Sequence, residues 1–121
     1  VEYYKKYLNK KNVFSPNEEK YQFNSYHTFV VQVDKRDHLK EYLLKNGIIT
    51  AIHYPIPIHL QPAARFLGYK KGSFPVVERQ SKKILTLPIN QFLKAKEIYN
   101  ICKYINKFYL KNEKKYSRKS I

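Results

Sequence analysis

The segment from His53 to His59 places the strongest constraint on how this chain folds. It reads His-Tyr-Pro-Ile-Pro-Ile-His, so that two prolines, two histidines and a tyrosine stand close together. Each proline fixes its own φ, lacks a backbone donor and turns the preceding residue away from helical geometry. We therefore predict a stiff extended loop here. A rigid loop that carries imidazole and phenol groups is a candidate for ligand contact.

The residues on either side of this loop predict an α+β fold. Short apolar runs predict a small, mainly antiparallel sheet with strands over residues 26–33, 48–52 and 84–87. Apolar residues at three- and four-residue spacing, and a proline suited to a first helical turn, predict helices over residues 35–46, 75–83 and 94–110. We expect these helices to pack against the sheet. The helix over residues 35–46 should begin after an N-cap at Asp34 and end before a left-handed glycine, Gly47.

The two ends of the chain are expected to differ from its middle. At 121 residues the chain is the size of one domain, which we assign to residues 1–110. Residues 1–8 read as the end of a helix with no capping residue before it, which predicts that the sequence is a fragment. The charged stretch 111–121 is expected to form a frayed basic tail.

Cysteine usage and hydropathy limit the cellular setting. Cys102 is the only cysteine, so neither an internal disulfide nor a cysteine-based metal site can form. No apolar run approaches the roughly 20 residues of a membrane helix, and the first residues lack the apolar core of a signal peptide. These features predict a soluble, cytoplasmic protein with no membrane partner.

The charge balance raises the question of a polyanionic partner. The chain has 24 Lys and Arg against 9 Asp and Glu, a formal net charge of +15. This excess is spread along the whole sequence instead of gathering on one stripe, which favours a solvated basic surface over a dedicated nucleic-acid site. A free-standing basic module that binds nucleic acid or another anion stays as the alternative function.

The histidines allow a metal hypothesis, with weak support. His53 and His59 could share a metal with His27 or His38, but their spacing is not that of a helical ligand pair, and we expect no thiol or carboxylate near this loop. We predict that His38 is solvated and that His27 is a hydrogen-bonded core residue of a strand. No serine lies in a nucleophile elbow, and the three glycines form no phosphate-binding loop. A small metal-dependent enzyme remains a third hypothesis.

Several motifs occur in an order that resembles the C-terminal domain of the DegT/DnrJ family of sugar aminotransferases. The resemblance spans roughly residues 3–109. The segments that carry it are Ser25 to Val31, Arg36 to Leu39, Leu43 to Thr50, His53 to Pro62, Gly72 to Glu78 and Leu85 to Ile89.

The resemblance implies an enzyme that uses pyridoxal phosphate (PLP) to transfer an amino group, usually from glutamate or glutamine, to a nucleotide-linked keto sugar. The family's Schiff-base lysine lies in a large N-terminal domain that has no counterpart in this sequence. The resemblance therefore implies a homodimeric full-length enzyme, and it implies that this chain alone holds no cofactor and is inactive. No lysine of this chain is assigned a catalytic role.

The same resemblance implies that the loop forms one wall of the substrate cleft. His53, Tyr54 and His59 are the predicted substrate-binding residues, since imidazole and phenol groups can donate hydrogen bonds to sugar or phosphate oxygens. No catalytic, cofactor-binding or metal-binding residue is assigned. The sequence departs from the family at Lys94, where Ser or Thr usually caps the last helix, and Asn90 is the substitute cap that we consider.

Overall fold

The chain folds as a three-stranded antiparallel sheet with helices packed against it, which confirms the α+β prediction. The computed structural model describes residues 1–117, and side chains as far as Lys111. The strands are β1 Val13–Phe14, β2 Phe29–Val33 and β3 Ile84–Leu87, in the order β1-β2-β3. The α-helices are α1 Glu2–Tyr7, α2 Arg36–Lys45, α3 Pro75–Ser81 and α4 Ala95–Ser117. Two 3₁₀ segments, Ile58–Leu60 and Pro62–Leu67, lie between α2 and α3.

The core lies between the sheet and the helices α1, α2 and α4. Along β2 buried residues alternate with half-buried ones, and buried Val31 stands opposite buried Leu85 of β3. Helix α4 contributes Cys102 and Ile105 to this core. The core therefore contains the residues that the period-two pattern of β2 and the apolar stripe of α4 predict to be buried. Among the described residues, no helix has both the length and the apolar composition to cross a membrane.

The sheet differs from the prediction in two of its three strands. Residues 48–52 do not form a strand, because only Ala51 pairs with the sheet, through two backbone hydrogen bonds of 3.1 and 2.8 Å with Thr86. Strand β1 was not predicted from the sequence, and it pairs with the C-terminal end of β2. It is two residues long, too short to show a period. The predicted strand 26–33 starts late, at Phe29: Tyr26 has a left-handed φ of 51°, and residues 27–28 form a bend.

The start of helix α2 differs from the prediction, whereas its C-terminal end agrees with it. The residue before it is Lys35, with φ 53°, and the predicted Asp34 cap is wrong: the Asp34 carboxylate accepts instead from Lys83 Nζ at 2.7 Å. The predicted left-handed Gly47 is confirmed, with φ 75°. The Gly47 and Ile48 amides donate to carbonyls of the last helical turn, as in a Schellman motif.

Helices α3 and α4 also have different limits from those predicted. Pro75 is the first residue of α3, as predicted, but the helix ends at Ser81. Helix α4 begins one residue later than predicted, at Ala95, and continues to Ser117, beyond the predicted end at residue 110. Residues 118–121 of the predicted tail lie outside the described residues. Asn90 does not cap α4; the Glu97 carboxylate accepts from the Lys94 amide at 2.8 Å instead.

Candidate functional site

The predicted loop leaves the sheet at the Ala51–Thr86 bridge, and this bridge fixes its first side chain. His53 Nδ1 lies 2.9 Å from Thr86 Oγ1, while the imidazole as a whole is exposed. The Tyr54 ring meets the His53 ring edge to face at 5.5 Å and is 67% exposed. The peptide bond between these two residues is cis. The sheet therefore presents an imidazole and a phenol together on the surface, with Nε2 as the remaining polar atom of the His53 ring.

His59 has different surroundings from His53 and Tyr54. Its side chain is 8% exposed, its Nε2 lies 3.0 Å from Glu78 Oε1, and its ring packs edge to face on Phe74 at 4.9 Å. It belongs to the 3₁₀ segment Ile58–Leu60, so this part of the loop is not extended as predicted. Of the three predicted site residues, the structure places two together on the surface and buries the third.

Glu78 ties the second half of the loop to helix α3. Its Oε1 accepts from the Gly72 amide at 2.7 Å as well as from His59, and the Phe74 amide lies 3.4 Å away. Desolvation of this carboxylate raises its pKa, but these hydrogen bonds outweigh that effect and hold the pKa of Glu78 below its usual value. Glu78 is not among the site residues predicted from the sequence. Its signal is an acidic residue in the first turn of a helix that begins with proline, where a carboxylate can reach back to free amides.

Replacing Glu78 with glutamine should lower the free energy of unfolding by an amount that depends on pH. Because the folded-state pKa is lowered, the stabilisation from the carboxylate is present above the unfolded-state value of about 4.3 and is lost as pH falls through the lower folded-state value. We expect the difference between wild type and Glu78→Gln in urea unfolding to shrink from pH 6 to pH 3. Glu41→Gln, on the exposed face of α2, is the control. A difference that stays constant across this range would contradict the role of the charge.

A second polar group lies in a cleft beside α1. Lys5 Nζ donates to the Glu18 carboxylate and, at 2.9 Å, to the Tyr26 hydroxyl. These hydrogen bonds raise the pKa of Lys5 and lower the pKa of Glu18 to about 2. The cleft has a volume of about 500 Å³ and is lined also by His27, which is exposed. The prediction of His27 as a core residue is therefore wrong. Since cation and anion neutralise each other here, we assign no ligand to this cleft.

The remaining reactive side chains have ordinary structural surroundings. Cys102 is buried on α4, and burial raises the pKa of its thiol to about 12, so the thiol stays protonated at neutral pH. His38 is exposed on α2, as predicted. In the part of the chain that the structure describes, no three His, Cys, Asp or Glu side chains are grouped as metal ligands.

The lysines do not fit the role of a cofactor-bearing residue. Such a lysine needs a pocket that desolvates its amine and lowers its pKa. None of the lysines in residues 1–111 is buried, and the hydrogen bonds of Lys5 to Glu18 and Tyr26 raise its pKa instead of lowering it. No lysine in residues 1–111 therefore has the buried surroundings that a covalently held cofactor requires.

Comparison with known proteins gives a consistent family. A model of the DegT/DnrJ/EryC1/StrS aminotransferase family matches residues 1–106. The pleiotropic regulatory protein of Geobacillus stearothermophilus is 36% identical over 97 residues, which cover 80% of this chain and 26% of that protein. The dTDP-3-amino-3,4,6-trideoxy-α-D-glucose transaminase of Streptomyces venezuelae is 36% identical over 76 residues, covering 63% of this chain and 20% of that protein.

Solved structures share the fold. The crystal structure of S. venezuelae DesV, determined in complex with a ketimine intermediate, superposes with a TM-score of 0.80 at 28% identity. The match covers 88% of this chain and 29% of DesV. The chain thus spans about a fifth to a quarter of the two curated relatives and less than a third of the solved neighbour.

Proposed function

The chain belongs to the DegT/DnrJ/EryC1/StrS aminotransferase family, and on this premise we propose that it is the C-terminal domain of a PLP-dependent nucleotide-sugar aminotransferase. The reaction would transfer an amino group from glutamate or glutamine to a nucleotide-linked keto sugar. The transaminase of S. venezuelae carries a dTDP-linked sugar in its name, which supports this substrate class. We assign the domain to residues 1–110 and place the enzyme in the cytoplasm.

In this proposal the cofactor is held by a large N-terminal domain. The lysines in residues 1–111 support this division, because none of them is buried and none has the surroundings of a cofactor lysine. PLP would supply the electron sink for amino transfer. The large domain and a second subunit of a homodimer are the protein partners that we propose for the domain.

The role of this chain is to form one wall of the substrate cleft. The observation that carries this role is the exposed pair His53 and Tyr54, anchored to the sheet through Thr86. Side chains that are already ordered lose little entropy when they bind, so both can donate to sugar or phosphate oxygens at low cost. His59, the third predicted contact, supports the wall from within, because Glu78 and Phe74 hold it in the packed part of the loop.

Titration of the ¹⁵N-labelled chain with dTDP-glucose tests this role. We expect weak binding, with the amide shifts concentrated in residues 53–59. The substitution His53→Ala should lower the affinity for dTDP-glucose at least tenfold. An exposed histidine on another element, His38→Ala, is the control and should leave binding unchanged. Shifts spread over many lysines, reproduced by a DNA oligonucleotide and removed by salt, would support the basic nucleic-acid module instead.

A further inference from the structure

Helix α4 carries a row of lysines on the side opposite its buried stripe. These residues, named here the lysine row, are all exposed: Lys96, Lys103, Lys107 and Lys111. At 3.6 residues per turn and 1.5 Å per residue, their spacing places them within about 80° of the helix circumference and along about 22 Å of its length. The helix continues beyond the row to Ser117.

The basic residues of this chain are therefore less evenly distributed in space than they are along the sequence. Residues that are three, four or seven positions apart share one side of a helix, although they are never adjacent in the chain. Among the described side chains, no carboxylate forms an ion pair with a lysine of the row. The row is thus a continuous cationic surface on a chain whose net charge is +15.

Two exposed side chains of a different kind border the lysine row. Tyr99 is 48% exposed and Leu110 is 54% exposed. Each stands three positions after a lysine of the row, so both lie on the same edge of it. Lysines beside a tyrosine and a leucine are typical of helices that lie at the surface of a bilayer. There the cations meet lipid headgroups, and the tyrosine and leucine reach the boundary with the acyl chains.

We propose that α4 attaches this domain to an anionic lipid bilayer through the lysine row. The cytoplasmic leaflet of a membrane has a negative surface potential that attracts clustered lysines, and each lysine near it strengthens binding about fivefold. A straight row on a convex helix can meet a planar layer of headgroups along its whole length. Such attachment needs no spanning segment. It replaces the sequence prediction of no membrane partner, which rested on the length of apolar runs.

The surroundings of α4 favour a bilayer over a nucleic acid. Helices α1 and α2 flank the row on its two sides, where the Tyr7 ring meets Tyr99 and the Tyr42 ring lies beside Tyr104. The row therefore cannot enter the groove of a duplex as a separate helix. Its convex surface is also unlike the aromatic-lined grooves that bind single strands. Residues 95–117 contain no arginine, whose planar fork suits phosphate and base recognition better than lysine does.

Co-sedimentation of the purified 121-residue chain with lipid vesicles tests the proposal. Vesicles of phosphatidylcholine mixed with phosphatidylglycerol are compared with vesicles of phosphatidylcholine alone. The row variant replaces three lysines of α4 with glutamine: Lys103→Gln, Lys107→Gln and Lys111→Gln. The matched control removes the same charge from exposed lysines outside α4: Lys20→Gln, Lys70→Gln and Lys71→Gln. In a third variant arginine replaces the same three row lysines, and circular dichroism checks that all variants stay folded.

We expect the wild-type chain to bind only the vesicles that contain phosphatidylglycerol and to be released from them by high salt. The row variant should weaken this binding about a hundredfold and the control less than about fivefold, since only the row meets the headgroups. The arginine variant keeps the charge and should bind like the wild type.

Equal weakening by the row variant and the control, equal binding to both kinds of vesicle, or no binding of the wild-type chain overturns the proposal. Binding to a DNA oligonucleotide that is tighter than vesicle binding and is lost only in the row variant also overturns it. The dTDP-glucose titration succeeds or fails independently, because none of these substitutions alters His53 or Tyr54.

Discussion

Replacing Tyr4 with alanine is expected to lower the free energy of unfolding by about 3–5 kcal/mol. The Tyr4 side chain is fully buried, its ring stacks on Phe29 at 5.1 Å, and its hydroxyl donates to the Pro88 carbonyl at 2.7 Å. Burial raises the pKa of this phenol, so it remains a donor at neutral pH. The substitution would remove a large aromatic side chain and leave the Pro88 carbonyl without this donor.

Tyr3 is the control for this prediction, because it lies on the same helix and is 46% exposed. Tyr3→Ala should change stability by less than about 1 kcal/mol in urea unfolding. Tyr4→Phe should fall between the two, since it keeps the ring and removes only the hydrogen bond to Pro88. If Tyr4→Ala and Tyr3→Ala cost the same, α1 is not part of the folded core, and residues 1–8 would be better described as a linker.

The second large effect is expected at His59. Replacing it with alanine should lower the free energy of unfolding by about 2–3 kcal/mol. The substitution removes the histidine partner of the Glu78 carboxylate and opens a gap beside Phe74. Amide hydrogen exchange should rise at Gly72 and Phe74, whose backbone amides face the same carboxylate oxygen. Urea unfolding and hydrogen exchange of the purified chain measure both effects.

His53→Ala provides the comparison, since it alters the same residue type in the same loop. The exposed His53 ring contacts Thr86 and Tyr54, so we expect its loss to cost less than about 1 kcal/mol while weakening nucleotide-sugar binding. The two substitutions should therefore affect different measurements. His59→Ala should lower stability, and His53→Ala should lower ligand affinity. A His59→Ala chain with wild-type stability and lost ligand binding would restore the original assignment of His59 as a direct contact.

The sequence predicted the parts of the fold that have a clear period or special backbone chemistry. Helix α2 stops just before Gly47, because glycine tolerates the left-handed φ that turns the chain away there. Pro75 starts α3 because its missing amide costs nothing at the first helical position. The strand β3 was predicted with its observed limits. Each of these depends on residues close together in the chain.

The failures arise where partners distant in the chain decide the structure. Residues 48–52 look like a strand, but only Ala51 meets Thr86 before the prolines turn the chain away. Asp34 looks like a helix cap, but its carboxylate accepts a hydrogen bond from Lys83, which is far along the sequence. At the candidate site the sequence located the loop and did not separate exposed His53 from buried His59, because that difference depends on the contact with Glu78.

Borohydride reduction of the purified chain with PLP, followed by peptide mass spectrometry, tests the central claim most directly. The claim is that this chain supplies a substrate wall and that the cofactor lysine lies in another domain. We predict substoichiometric labelling spread over many exposed lysines, with no yellow complex surviving gel filtration before reduction. Stoichiometric labelling of one lysine, abolished by substituting that lysine, would contradict the claim and place the cofactor on this chain.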